Sequence, residues 1–135
     1  MKKRKYEPAG YKLLVKKSKA GLGLFAGEPI KKGTCIIEYF GRVLSEKEEY
    51  TSNSKYLFEI NSKTTIDGTD RKNTARYINH SCHPNADPEI WHKRVFIMAI
   101  KNIKPGEEIT YDYGAEYWDE HIKPKGCRCH KCHQD

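Results

Sequence analysis

No run of apolar residues in this 135-residue chain approaches the ~18 needed to cross a membrane. No apolar segment follows Met1 as a secretory signal would require. Neither a membrane-spanning nor a Sec-secreted protein is therefore expected. Apolar residues are scarce, at 37% against 32% charged with a mean hydropathy of −0.85, so the core is small for the length. No period of 20–50 residues recurs, which excludes solenoids and propellers. Cysteine is nearly absent from the first 126 residues, where only Cys35 and Cys82 occur. Nine Tyr, four Phe and two Trp exclude a disordered basic tail. A mass of 15.7 kDa fits a single core.

The formal net charge is +7, and it is unevenly placed. Residues 1–19 carry eight Lys/Arg and one Glu, whereas the other 116 hold 17 basic and 17 acidic side chains. The basicity belongs to an N-terminal segment, with Lys2-Lys3-Arg4-Lys5 at its start, and the body is neutral. A run of this kind is most often a solvated end. It is also suited to contact DNA or another acidic surface.

Most of the chain reads as short strands joined by turns. β-rich runs occur at 12–15, 34–39, 56–60, 64–66, 95–100 and 108–111. Turns are marked by Lys32-Gly33, Asp67-Gly68 and Lys104-Pro105-Gly106. Only one helix has a clear start, where Ser45 followed by Glu48 forms a capping box. Ile30-Lys-Lys-Gly33-x-x-Ile36 is echoed by Ile103-Lys-Pro-Gly106-x-x-Ile109, a recurrent turn feeding a strand. The expected fold is mostly β.

Four constellations carry chemistry. Gly21-Leu22-Gly23 lets a ligand approach the backbone, although by itself it reads first as a turn or bulge. It lacks the third glycine and long helix of a dinucleotide fingerprint. Arg76-Tyr77-Ile78-Asn79-His80-Ser81-Cys82-His83-Pro84-Asn85 concentrates polar side chains where Pro84 opposes a regular element. Its Asn and His offer both donors and acceptors. In Glu107-Glu108-Ile109-Thr110-Tyr111-Asp112-Tyr113-Gly114, strand alternation puts Tyr111 and Tyr113 on one face. Such a pair is either core packing or a frame for a long side chain. Cys127-Arg-Cys129-His-Lys-Cys132 supplies three thiolates for a zinc tetrahedron, with Cys35, Cys82, His130 and His133 open as the fourth ligand. An odd count with three so close fits disulfides poorly and suggests a reducing, intracellular compartment.

Together these motifs resemble the SET-domain protein lysine methyltransferases, in family order and at family spacing. The resemblance covers roughly residues 11–114, with a post-SET-like tail at 115–135 and a basic arm at 1–10. It implies several small curved sheets with a C-terminal pseudoknot and a zinc-stapled tail. It places S-adenosylmethionine against Ala20, Gly21, Leu22 and Gly23, with Tyr56, Asn79 and His80 also holding the cofactor. Tyr113, Tyr111 and Tyr39 take the catalytic positions. Tyr39, Tyr77, Tyr111 and Trp118 would line the lysine channel. Cys82, Cys127, Cys129 and Cys132 would hold a structural zinc. Leu22 stands where family members often carry a large basic residue, and two residues instead of four precede the last cysteine.

The reaction the resemblance implies is methyl transfer from S-adenosylmethionine to a lysine ε-amine, with a histone tail as the expected substrate and mainly mono- or dimethylation expected from Tyr111. A nuclear or chromatin-associated location follows for a eukaryotic cell. Alternatives are a methyltransferase for a non-histone protein, or a non-catalytic zinc-containing module binding nucleic acid or chromatin. No membrane partner is expected, and exposed strand edges are compatible with a dimer.

Overall fold

The structure, a computed structural model, describes residues 5–19, 21–45, 47–48, 56–61, 64–70 and 72–113. Ala20, Trp118, Cys127, Cys129, Cys132 and the rest of the tail lie outside these residues, as do the first four residues of the arm. Ten strands occur among the described residues. They are β1 (Leu13–Ser18), β2 (Gly21–Ala26), β3 (Cys35–Tyr39), β4 (Arg42–Leu44) and β5 (Leu57–Asn61), then β6 (Thr64–Asp67), β7 (Asn79–His80), β8 (Ala86–Trp91), β9 (Arg94–Ala99) and β10 (Glu108–Tyr111). They form three small sheets, ordered β1-β2-β10-β7, β3-β9-β8 and β4-β6-β5. The mostly-β expectation is met. No helix among the described residues is long and apolar enough to cross a membrane.

Strand β9 shows how a small core is divided. Its alternation sends Val95, Ile97 and Ala99 into the main core with Leu24, Ile36, Ile78 and Ile109. Phe96 and Met98 point the other way, onto Cys35. Each fully buried Leu or Ile here contributes about 1.5–3 kcal/mol relative to exposure. The second cluster is covered by the N-terminal segment. Tyr6 lies 5.4 Å from the Trp91 ring and 5.3 Å from Phe96. Its hydroxyl donates to Glu89 at 3.0 Å, and Lys5 pairs with the same carboxylate at 3.1 Å.

Three local readings are revised or sharpened. Gly21-Leu22-Gly23 is neither turn nor bulge but the start of β2, paired along its length with β1. The Ile30/Ile103 echo is a contact, because the two residues exchange backbone hydrogen bonds of 2.9 and 2.8 Å. Strand β8 escaped the sequence pattern because Pro88 interrupts it, which an edge strand tolerates. Its hairpin with β9 turns at His92-Lys93, both at positive φ, as a two-residue connection requires. The capping box is present, with Ser45 N–H to Glu48 and Glu48 N–H to Ser45 both at 3.3 Å.

Candidate active site

The site is built where β2, β7 and β10 meet. β10 pairs antiparallel with β2 and parallel with β7, setting Thr110 beside Asn79 and Tyr111 beside His80. Two of the separate sequence motifs therefore become neighbouring strands. The third, β2, lies across β10. A short 3₁₀ helix, Thr74–Tyr77, leads into β7 and buries Ala75.

Asn79 is held through its amide nitrogen. Nδ2 lies 2.9 Å from the Leu22 carbonyl, 2.8 Å from Glu108 Oε2 and 3.1 Å from Ser18 Oγ. Gly23 makes this possible, since a Cβ there would collide with the Glu108 carboxylate and crowd the Asn79 amide. Gly21, at φ +104, holds a conformation that side-chain-bearing residues rarely adopt. Leu22 between them is exposed.

His80 has a defined tautomer. Its Nδ1 accepts the Tyr113 backbone N–H at 3.1 Å, so Nε2 carries the hydrogen and faces Cys82 Sγ at 3.5 Å. Burial lowers its pKa from the ordinary imidazole value, and the Asp112 carboxylate 3.7 Å away opposes that shift. With the hydrogen on Nε2, the ring can donate to the Cys82 sulfur.

A run of rings crosses the site. Tyr39 lies 5.6 Å from Phe58, Phe58 6.4 Å from Tyr111, Tyr111 5.0 Å from Tyr113, and Tyr113 5.4 Å edge-on from His80. Tyr39 and Tyr111 are buried. The Tyr39 hydroxyl donates to the Tyr56 carbonyl at 2.8 Å, which also receives Gly68 N–H at 2.7 Å. The Tyr113 hydroxyl donates to the Ile78 carbonyl. The three residues expected to act in catalysis are thus brought together.

Tyr77 is reached through Arg76 instead. The guanidinium lies 5.0 Å over Tyr56 and 4.7 Å over Tyr77, and donates to the Tyr77 hydroxyl at 2.7 Å. Its Nε is buried without an acceptor among the described residues, and the two ring faces compensate in part. The Asn85 side chain bonds the backbone of β10 directly. It donates to the Glu108 carbonyl at 2.8 Å and accepts Thr110 N–H at 2.9 Å.

Sequence reasoning assigned no site role to Ser18, Phe58, Arg76, Asn85 or Glu108. Arg76 and Asn85 stood inside a motif it singled out. Glu108 also stood inside such a motif, on the same face of β10 as Thr110, but only the pairing of β10 with β7 sets it beside Asn79. Ser18 carried no local signal, because only the pairing of β1 with β2 brings it near.

Sheets this small, with a backbone-exposing glycine strand against an Asn-His strand and a tyrosine-bearing strand, define a SET domain. The SET domain model matches residues 21–114, and the chain belongs to that family. Among curated relatives, the histone-lysine N-methyltransferase ASHH3 of Arabidopsis thaliana is 41% identical over 85% of this chain and 36% of its own length. Histone-lysine N-methyltransferase trithorax of Drosophila virilis is 38% identical over 83% of this chain and 3% of its own. This chain therefore spans about a third or less of those relatives. Among solved structures, ctPRC2 in an autoinhibited conformation bound to S-adenosylmethionine superposes with a TM-score of 0.67, at 34% identity over 78% of this chain and 15% of that one. The crystal structure of the Chaetomium thermophilum polycomb repressive complex 2 gives 0.70, at 32% identity over 79% and 16%.

Proposed function

We propose that the protein is a protein-lysine N-methyltransferase that uses S-adenosylmethionine and acts on a histone tail, adding mainly one or two methyl groups. The observation that carries this reading is the run of Tyr39, Phe58, Tyr111 and Tyr113 beside the Asn79-His80 strand. The histone-lysine methyltransferase relatives support the substrate class and a chromatin-associated, nuclear setting.

A free lysine amine has a pKa of about 10.4 and is protonated at neutral pH. An aromatic, largely buried wall disfavours the ammonium by desolvation and so favours the neutral nucleophile. S-adenosylmethionine supplies an electrophilic methyl on a positively charged sulfur. Asn79, His80, Tyr56 and the backbone from Ala20 to Gly23 would hold it. Tyr113, fixed by its hydroxyl on Ile78 and its N–H on His80, orients the amine. An ordinary phenol is a poor base at pH 7, so Tyr113 positions and does not abstract a proton. Tyr77 and Trp118 complete the channel in this reading.

The same reading divides the chain into an arm at 1–10, the SET domain at 11–114 and a zinc-binding tail at 115–135. Cys82, Cys127, Cys129 and Cys132 would hold one structural zinc, and four thiolates leave it no open position. The zinc would tie the tail to the Asn79–Cys82 segment, giving the pseudoknot its closure. The arm, charged but anchored through Lys5 and Tyr6, would contact DNA beside the tail substrate.

The test is transfer of tritiated methyl from S-adenosylmethionine to histones, with Tyr113→Phe as control. Incorporation into histones that the variant loses by at least tenfold supports the proposal. Incorporation only into other proteins moves the substrate to a non-histone class. No incorporation, together with salt-sensitive DNA binding, overturns the enzymatic reading in favour of a binding module.

A further inference from the structure

The three contacts to Asn79 Nδ2 differ in kind. The Leu22 carbonyl and the Glu108 carboxylate can only accept, so both amide hydrogens are committed to them. The Ser18 hydroxyl, at 3.1 Å, adds a third oxygen on the same side. With two obligate acceptors at that end of the amide, the nitrogen must occupy it and the oxygen must face away. Asn79 Oδ1 has no hydrogen-bond partner among the described residues. Gly23, by lacking a side chain, leaves room for Glu108 to reach the amide.

An orphan amide oxygen beside a backbone-exposing glycine strand is an acceptor in wait of a donor. S-adenosylmethionine is an amino acid at one end. Its α-ammonium only donates and its α-carboxylate only accepts. An outward Oδ1 receives the first and repels the second, and the negative charge of Glu108 behind the amide strengthens that preference. We propose that Glu108 is a positioning residue, which fixes the Asn79 amide with Oδ1 outward as the acceptor for the cofactor's α-ammonium. Without Glu108 only the Leu22 carbonyl still demands an amide hydrogen, so the orientation with Oδ1 outward is held less firmly and the NH₂ can turn toward the ammonium more often. This rests on the methyltransferase reading.

The experiment is calorimetric binding of S-adenosylhomocysteine, which keeps the ammonium, and of its des-amino analogue. Both are titrated into the wild-type full chain, Glu108→Met and Glu108→Gln. Glu108→Met preserves the length of the side chain and removes the acceptor; Glu108→Gln restores an acceptor oxygen. For S-adenosylhomocysteine the Met variant should bind about five- to tenfold more weakly, and the Gln variant within about threefold of wild type. For the des-amino analogue all three proteins should bind alike. Equal weakening of both ligands in Glu108→Met would mean a merely structural role and overturn the proposal, as would no weakening at all. Should Glu108→Met not fold, Glu108→Gln alone decides, because a loss beyond tenfold that is equal for both ligands refutes the orienting role. Failure of folded wild-type protein to bind S-adenosylhomocysteine refutes the methyltransferase reading itself, an outcome distinct from either.

Discussion

Asn85 offers the sharpest test of how the site is held. Its side chain acts as one residue of a missing strand, donating to the Glu108 carbonyl and accepting Thr110 N–H on β10. Replacing it with alanine removes two hydrogen bonds worth roughly 1 kcal/mol each and strands two half-buried backbone groups. Partial hydration of those groups limits the further cost, so the expected destabilisation is about 2–4 kcal/mol, a large share of a stability of ~5–15 kcal/mol. Asn85→Asp keeps the acceptor for Thr110 but sets a carboxylate against the Glu108 carbonyl, and should lose at least as much as alanine. Urea unfolding at pH 7.5, followed by tryptophan fluorescence, measures both. Because β10 carries Tyr111 and leads into Tyr113, methyl transfer should fall with stability in the same variants. Asn85→Ala within 0.5 kcal/mol of wild type would show that β10 does not depend on this amide, and the account of the site's scaffold would fail.

Three further outcomes follow from particular residues. Tyr111→Phe should shift the product distribution on a histone peptide from monomethyl toward higher states by mass spectrometry; an unchanged distribution refutes the product-control role of its hydroxyl. Cys35 is buried, and burial pushes its thiol up to about 11. The neutral thiol is favoured in the folded state, so Cys35 stabilises the fold below the ordinary thiol pKa of ~8.5 and that contribution is lost as pH rises toward 11. Iodoacetamide at pH 8 should therefore leave Cys35 unmodified in folded protein and label it in urea, and rapid labelling of the folded chain by peptide mapping would contradict this. Cys129→Ser should lower bound zinc from one equivalent to well below it by atomic emission and abolish methyl transfer, whereas full turnover without zinc would remove the metal's structural role.

What the sequence made legible is local, and what it hid is mostly pairing. The runs at 34–39, 95–100 and 108–111 announced β3, β9 and β10 mainly through apolar, β-branched and aromatic residues. The Ser45–Glu48 capping box likewise needed only its own four residues. By contrast, β2 reads as loop because two of its first three residues are glycine, and only β1 on one side and β10 on the other make it a strand. The same dependence explains why Tyr113 and Asn79 were named from their motifs while Ser18 and Glu108 were not. Asn79 is chemically conspicuous anywhere, but a serine and a glutamate gain a role only when sheet register brings them within 3.1 and 2.8 Å of its amide. The strongest local signals mark the groups expected to touch cofactor and lysine. The residues that orient those groups, Ser18 on β1, Asn85 just before β8 and Glu108 on β10, act at sequence separations of 23 to 61 residues, where no local pattern selects them. Mutational scans guided by motif alone would therefore find the chemistry of this site and miss much of what aims it.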